Sequence, residues 1–252
     1  MNIDLTGKHV LLTGATRGIG EAIAKNLAAS GARVSVHFLR HSKRAEQLAA
    51  ELGNGAKAFQ ADLAHPEHCL RLFNDVLNAF GHIDVLVNNA GIAYKSPLDE
   101  DDDDWLVDWH STIAVNLTAV GLLCKKAIEH FTVMGGGRII NIASRASFRG
   151  DTPDYLAYAA SKGGVIPLTR SIARYFGKQG IKAFNVAPGF VRTDMAQDFM
   201  NEYGEAFAVN DIALPELTVP EDLAPLVTFL ASGLCDHATG GTFDVNAGSY
   251  VH

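Results

Sequence analysis

Short apolar runs alternate along this chain with longer segments in which apolar residues recur three and four apart. The short runs are KHVLLT (8–13), RVSVHF (33–38), KAFQ (57–60), IDVLVN (83–88), RIINIA (138–143), KAFNVA (182–187) and TFDV (242–245). They predict strands buried on both faces. The longer segments 18–29, 42–52, 66–80, 105–131, 155–177 and 220–232 carry helical spacing. Strand and helix in turn imply a parallel sheet with helices on both sides. No Pro/Ser-rich linker, repeat or low-complexity tract interrupts the pattern, apart from the acidic run Asp99 to Asp104. The 252 residues therefore predict one doubly wound α/β domain of about seven strands spanning 1–252, a length common for single α/β domains.

Composition narrows the function classes. With 48% hydrophobic residues and 19% charged ones the chain can bury a sizeable core and is not a disordered protein. A formal charge of −7 argues against nucleic-acid or anionic-membrane partners, both of which favour basic surfaces. Cys69, Cys124 and Cys235 are far apart and form no C-x-x-C pair, which reads as reduced thiols in a cytoplasmic protein. Asp4 and Lys8 interrupt the N-terminus, so no signal peptide is expected, and no apolar run approaches the roughly 18 residues of a membrane span. The ten histidines lack ligand spacing, and no metal site is expected.

The first apolar run leads directly into TGATRGIG (13–20), with Gly14, Gly18 and Gly20 where a strand turns into a helix. At such a corner the backbone can approach a pyrophosphate, and the helix N-terminus offers free N–H groups and positive potential. The spacing is G-x-x-x-G-x-G rather than G-x-G-x-x-G, and no Gly-Lys-Ser/Thr follows as in a P-loop. Taken alone, the turn also fits a tight strand–helix corner with no ligand.

Further motifs follow in order: NNAG (88–91), Asn116, a serine after the fifth strand, YAASK (158–162) and PGFVRT (188–193). With TGATRGIG they make the chain resemble the short-chain dehydrogenase/reductase family over nearly its whole length, in its 3-oxoacyl-reductase-like branch. The resemblance implies a Rossmann-type sheet, a nicotinamide cofactor and a Ser–Tyr–Lys site assisted by an asparagine. It assigns the cofactor to Gly14, Thr16, Arg17, Gly18, Ile19 and Gly20. Asp62 and Leu63 would lie beside adenine, and Asn89, Ala90 and Gly91 along the nucleotide. Pro188, Gly189, Val191 and Thr193 would face the nicotinamide, with Tyr158 and Lys162 at its ribose. A lid is expected at about 193–215.

Residue spacing bears on the roles. Lys162 follows Tyr158 by four residues, so both project from one helix face, and an adjacent ammonium favours a phenolate. Tyr158 is thus the acid/base candidate, with Tyr155 a pocket wall or plain packing. RIINIAS ends a strand at Ser144, where ligands of such folds bind. Ser147 lies in the outgoing loop. The family's serine precedes its tyrosine by about thirteen residues; Ser144 gives fourteen and Ser147 eleven, and one extra residue near DTPDY reconciles Ser144. Asn116 lies within a helical segment, where Asn is a poor former. The family opens the helix there to hold a water linked to the lysine.

Cofactor choice is expected at the end of the second strand, VHFLRHSKR. NAD-preferring members carry an acid there. Phe38 occupies that place, followed by Arg40, with Arg17 inside the glycine turn, so NADP(H) leads over NAD. Arg145 could meet a substrate carboxylate or phosphate, or be an outward structural residue. In the family a tryptophan sits seven residues before the asparagine, which selects Trp109. The acidic run before it reads as favourable charge at a helix start. Three functions compete. They are a reductase or dehydrogenase of a small free carbonyl or alcohol, a 3-oxoacyl-carrier-protein reductase, and a non-catalytic NADP-binding protein. Basic residues expected for an acidic carrier are missing before the fifth and sixth strands (TVMGGG, GKQG), and the presence of Tyr158 and Lys162 speaks against the third. The resemblance further implies a homotetramer pairing the helices at 105–131 and 155–177.

Overall fold

The computed structural model describes residues 3–251. In chain order the elements are β1 (His9–Leu12), α1 (Gly18–Ala29), β2 (Arg33–Phe38), α2 (Ser42–Leu52), β3 (Lys57–Gln60), α3 (Pro66–Phe80), β4 (Val85–Asn88), α4 (Asp102–Ile113), a π-helical turn (Ala114–Thr118) and α5 (Ala119–Met134). There follow β5 (Gly137–Ile142), α6 (Ala146–Arg149), α7 (Leu156–Phe176), β6 (Ile181–Pro188), α8 (Asp194–Tyr203), α9 (Glu205–Val209), α10 (Pro220–Ser232) and β7 (Thr242–Val245). The strands form one parallel sheet in the order β3-β2-β1-β4-β5-β6-β7. The chain reverses direction across the sheet between β1 and β4, and a crevice opens at the carboxyl ends of those two strands.

Successive strand residues point to opposite faces, and the two faces bury separate cores. Val10, Leu12, Val85, Val87, Ile140, Ile142, Phe184 and Val186 pack with α1, α2 and α10. Leu11, Leu86, Ile139 and Ala183 pack with α3, α5 and α7. The central strands are therefore buried on both faces along most of their length, with Ser35, His37, Asn88, Asn141 and Asn185 as buried polar positions among the apolar ones. β3 and β7 depart from it: they close the two edges and stay partly exposed along their length. A third, small apolar cluster of Ala196, Met200, Ala208 and Leu217, packed with Phe190 and Ile212, lies under α8 and α9.

The segment expected as one helix at 105–131 differs in two ways. It starts earlier, at Asp102, because the Asp101 carboxylate caps the helix by accepting the Asp103 N–H at 3.0 Å, and Asp102 to Asp104 lie against the positive end of the helix dipole. It is also widened into a π turn at Ala114–Thr118. The stretch Asp102–Met134 meets the length and composition of a membrane span, as the core helix of a folded domain also can. Ala119, Val120, Leu123, Cys124, Ala127 and Phe131 bury their side of it against the sheet.

Candidate active site

The glycine turn is set by steric need. Gly14 and Gly18 have φ of +63° and +51°, a region costly for residues with a side chain. A Cβ on Gly14 would sit 2.9 Å from the Ala90 Cα, and one on Gly20 would sit 2.0 Å from the Gly14 carbonyl oxygen. Arg17 starts α1 without a side-chain cap, so the first N–H groups of the helix lack that partner beside this tight turn. A pyrophosphate fits there: it needs close backbone and unspent donors. The NNAG segment braces the turn from β4. Thr13 Oγ1 accepts the N–H groups of Asn89 and Ala90 at 2.9 and 3.0 Å, and the Asn89 amide donates to the carbonyls of Thr13 and Gly14, both at 3.0 Å.

A second brace, His37, was not singled out from the sequence. Its Nδ1 accepts the Gly14 N–H at 3.0 Å, which leaves the ring proton on Nε2 to donate to the Ala61 carbonyl at 3.1 Å. One buried imidazole thus ties the glycine turn to the end of β3, and burial pushes its pKa down to about 4. The available signal was a histidine inside an apolar strand, one residue before Phe38.

Beyond β5, Ser144, Tyr158 and Lys162 converge on a cavity of about 230 Å³. Ser144 is buried and hydrogen-bonded to the Tyr158 phenol, and its Oγ also accepts the Ala146 N–H at 3.1 Å. Ser147 instead donates to the Lys162 carbonyl at 2.8 Å, a structural bond that holds α6 to α7. Tyr158 and Lys162 share a face of α7, with the ammonium 6.0 Å from the ring centroid. Burial raises the Tyr158 phenol above its ordinary 10.0; the Ser144 bond pulls it down and the Asp151 charge adds to the rise. This reverses the expected direction, because burial dominates; Lys162 Nζ itself donates to the Ile142 carbonyl at 2.8 Å. Burial also brings Lys162 down to about 8.

Asn116 sits in the π turn, fully buried. Its amide donates to the Ile92 carbonyl at 2.8 Å and to Ser161 Oγ at 3.1 Å, and its Oδ1 accepts the Ile92 N–H at 2.9 Å. Both amide hydrogens are spent on protein, so this side chain fixes the segment that follows Gly91. A Cβ on Gly91 would lie 3.3 Å from both Asn116 Oδ1 and Lys162 Nζ, which packs NNAG, the asparagine and the lysine together.

The remaining candidates fall at the same edge of the sheet. Ile19, Asn89, Gly91, Pro188, Gly189, Val191 and Thr193 line the cavity. Thr193 Oγ1 caps α8 by accepting the Ala196 N–H, and its methyl stands where a Gly18 Cβ would meet it at 3.1 Å. Asp62 accepts the Ala64 N–H at 3.0 Å in the turn after β3, and Leu63 is buried beside it. Thr16 and Arg17 lie in the open part of the glycine turn. The basic residues divide. Arg44 is committed to Glu21 and Glu51 at 2.6 and 3.1 Å, and Arg17 pairs with Asp194 at 3.1 Å, both about three-quarters exposed. Arg40 is exposed just beyond the buried Phe38, and no ion pair reaches it among the described residues.

Arg145 points inward rather than outward. It lines the cavity and stacks 4.2 Å from the Phe190 ring centroid. It pairs with Asp211, which Arg149 also engages at 2.8 Å. Phe190, Phe199 and Tyr155 supply the aromatic side of the cavity, with centroids 5.0 Å apart for Phe190–Phe199 and 6.0 Å for Tyr155–Phe199.

A doubly wound parallel sheet with a pyrophosphate-sized turn at β1 and a serine–tyrosine–lysine group beyond β5 defines a dinucleotide-linked oxidoreductase. The model of the short chain dehydrogenase family matches residues 8–204, and the chain belongs to that family. Among its relatives, the 3-oxoacyl-[acyl-carrier-protein] reductase of Synechocystis sp. is 39% identical over 97% of each chain. The enzyme of that name from Haemophilus influenzae is 36% identical over 98% of this chain and 100% of its own. A dehydrogenase/reductase from Sinorhizobium meliloti superposes with a TM-score of 0.90 at 34% identity, covering 99% of this chain and 98% of the other. A putative NAD(P)-dependent gluconate 5-dehydrogenase from Beutenbergia cavernae, holding NADP at low occupancy, gives 0.90 at 33% identity and 98% of both chains.

Proposed function

We propose that this oxidoreductase uses NADP(H) to interconvert a small free carbonyl compound and its alcohol, with Ser144, Tyr158, Lys162 and Asn116 as the working group. The observation that carries the reading is the hydrogen-bonded Ser144–Tyr158 pair beside buried Lys162 in a cavity that also meets the glycine-turn side of the crevice. When bound, the nicotinamide supplies or accepts the hydride. The glycine turn (Gly14, Thr16, Arg17, Gly18, Ile19, Gly20), Asp62, Leu63, Asn89, Ala90, Gly91, Pro188, Gly189, Val191 and Thr193 would hold the dinucleotide, with Arg40 at the 2′-phosphate.

In the reductive direction Ser144 orients the substrate carbonyl oxygen, and Tyr158 delivers a proton to it. A phenol held above its ordinary pKa is fully protonated at neutral pH, which suits a general acid. Lys162 stands behind it as a cation and reaches toward the ribose hydroxyls, while Asn116 fixes the Gly91–Ile92 segment against it. Segment 193–215, with its own small apolar cluster, acts as a lid within a single domain. A cytoplasmic setting accords with the free, buried Cys69 and Cys124. A homotetramer that pairs the helices at 105–131 and 155–177 accords with the exposed Leu106 and Val107 on α4.

The relatives' names favour a second reading, reduction of a 3-oxoacyl group on a carrier protein. The surface speaks for a free substrate. Arg138 is bound bidentately to Asp236 at 3.0 and 2.8 Å, Lys182 lies 3.7 Å from the same carboxylate, and the end of α5 exposes Val133 and Met134. NADPH oxidation with free, short thioester-bound and carrier-bound carbonyls separates the readings, with Tyr158→Phe as the control. Turnover of free carbonyls, lowered by about 10²- to 10⁴-fold in Tyr158→Phe with NADPH affinity retained, is the expected result. A hundredfold advantage for the carrier form that disappears at high salt would establish the second reading.

A further inference from the structure

Asp151 takes no part in the chemistry above, yet it lines the same cavity as Ser144 and Tyr158. It follows Gly150, whose φ of +78° turns the chain at the end of α6. Its Oδ1 accepts the Thr152 N–H at 2.9 Å. Among the described residues no hydrogen bond or ion pair reaches Oδ2. The nearby cations are spent elsewhere: Arg145 and Arg149 both hold Asp211, and Arg145 also lies flat on Phe190. Their charge acts on Asp151 through space, and its own charge acts on Tyr158.

The other polar groups of the cavity have partners. Ser144 and Tyr158 hold each other, Lys162 donates to Ile142, and Asn89 is tied to the glycine turn. Phe190, Phe199 and Tyr155 offer flat apolar contact. The wall thus presents one unspent carboxylate oxygen, an arginine already ion-paired to Asp211, and aromatic rings. A neutral molecule with a hydroxyl donor satisfies that oxygen. A substrate carboxylate placed there faces that oxygen acceptor to acceptor, with no donor between them, and desolvating the carboxylate against an apolar substrate leaves an acceptor unmet.

We propose that Asp151 is a specificity-determining residue that selects neutral carbonyl substrates bearing a hydroxyl group close to the carbonyl and excludes oxo acids. This rests on the cavity being the substrate site of the carbonyl reduction proposed above.

The test compares kcat/KM with NADPH for 2-hydroxyacetophenone, acetophenone and phenylglyoxylate, in the wild type, Asp151→Ala and Asp151→Asn. A hydrogen bond to a charged group gives a preference of about tenfold to a hundredfold for the hydroxyketone over acetophenone in the wild type. Asp151→Ala erases that ratio and raises phenylglyoxylate relative to acetophenone. Asp151→Asn keeps part of the hydroxyl preference through its amide oxygen while accepting the oxo acid. Because the Asp151 charge raises the Tyr158 phenol, both variants also move the basic limb of the pH–rate profile downward, which loss of packing alone would not do. Saturation-transfer NMR on Tyr158→Phe gives a readout without turnover: 2-hydroxyacetophenone binds, and adding Asp151→Ala abolishes the binding. A ratio unchanged in Asp151→Ala, or a wild type that favours phenylglyoxylate, overturns the role of Asp151 and leaves the reductase reading standing. A wild type that oxidises NADPH with none of the three ketones overturns both.

Discussion

In the proposed site, cofactor choice turns on two arginines that the structure makes unequal. Arg40 is exposed at the end of β2 with no ion pair among the described residues, whereas Arg17 is held by Asp194 at 3.1 Å across 177 positions of sequence. A hydrogen bond to a charged group contributes about 1.5–3 kcal/mol, so one sound arginine–phosphate contact is a tenfold to hundredfold preference for NADPH over NADH. Arg40 can give all of that. Arg17 must first leave or share Asp194, and an ion pair this exposed is worth about 0–1 kcal/mol. Arg40→Ala therefore weakens NADPH by about tenfold to a hundredfold, and Arg17→Ala by less. Asp194→Asn, which frees Arg17, tightens NADPH by up to about fivefold. None of the three moves NADH by more than about twofold.

The assay is a titration of both cofactors by nicotinamide fluorescence, at two ionic strengths, against the wild type and these three variants. Added salt narrows the NADPH preference, because the contacts are exposed and screened. Phe38→Asp is a poor instrument for the same question. Phe38 is buried in the core shared with α1 and α2, and removing a buried aromatic ring costs about 3–5 kcal/mol. Equal losses of NADPH and NADH in Arg40→Ala would refute the reasoning and make Arg40 a structural residue. A tighter NADH in Asp194→Asn would show that the lid, rather than the phosphate, reads Arg17.

Two further outcomes follow from the buried polar groups. His9 and His37 are each pushed down from 6.5 to about 4 by burial, so the unfolded chain takes up their protons first. Stability is therefore intact above pH 6.5 and falls as pH drops toward 4, by about 3 kcal/mol for each histidine. Urea midpoints between pH 7 and 4 measure it, and a slope unchanged in His37→Asn would contradict the assignment of that share. Ser144→Ala should lower kcat/KM by about 10²-fold, whereas Ser147→Ala loses only its bond to the Lys162 carbonyl, about 1 kcal/mol of stability, with turnover nearly unchanged; the reverse ranking in steady-state kinetics would exchange the two serines.

What the sequence made legible were the features written locally. Apolar runs report burial on both faces, so all the central strands and their crossover helices could be read from them, while the edge strands β3 and β7 could not be told apart because being at an edge depends on strand order. Tyr158 and Lys162 are four residues apart on one helix, and periodicity alone puts them together. The glycine spacing likewise follows from contacts within the turn and with NNAG. The parts that escaped depend on residues far apart in the chain. Arg17 looked like a free cation because Asp194 lies on another element, and Arg145 looked outward because its partner Asp211 is 66 positions away. Tyr158 was expected to be acidified by its neighbour on α7. The opposite result comes from the surrounding burial, which no local spacing encodes, and from the Asp151 loop. Asn116 was read correctly as a break in helical regularity, but its bonds go to Ile92 and Ser161, so its work is to join three segments at the back of the site. Local pattern therefore places the candidate groups, and long-range pairing decides which charges remain free to meet a cofactor or a substrate. On that account Arg40, exposed with no ion pair among the described residues, and Asp151, which lines the cavity with one oxygen unengaged, are where specificity should be sought.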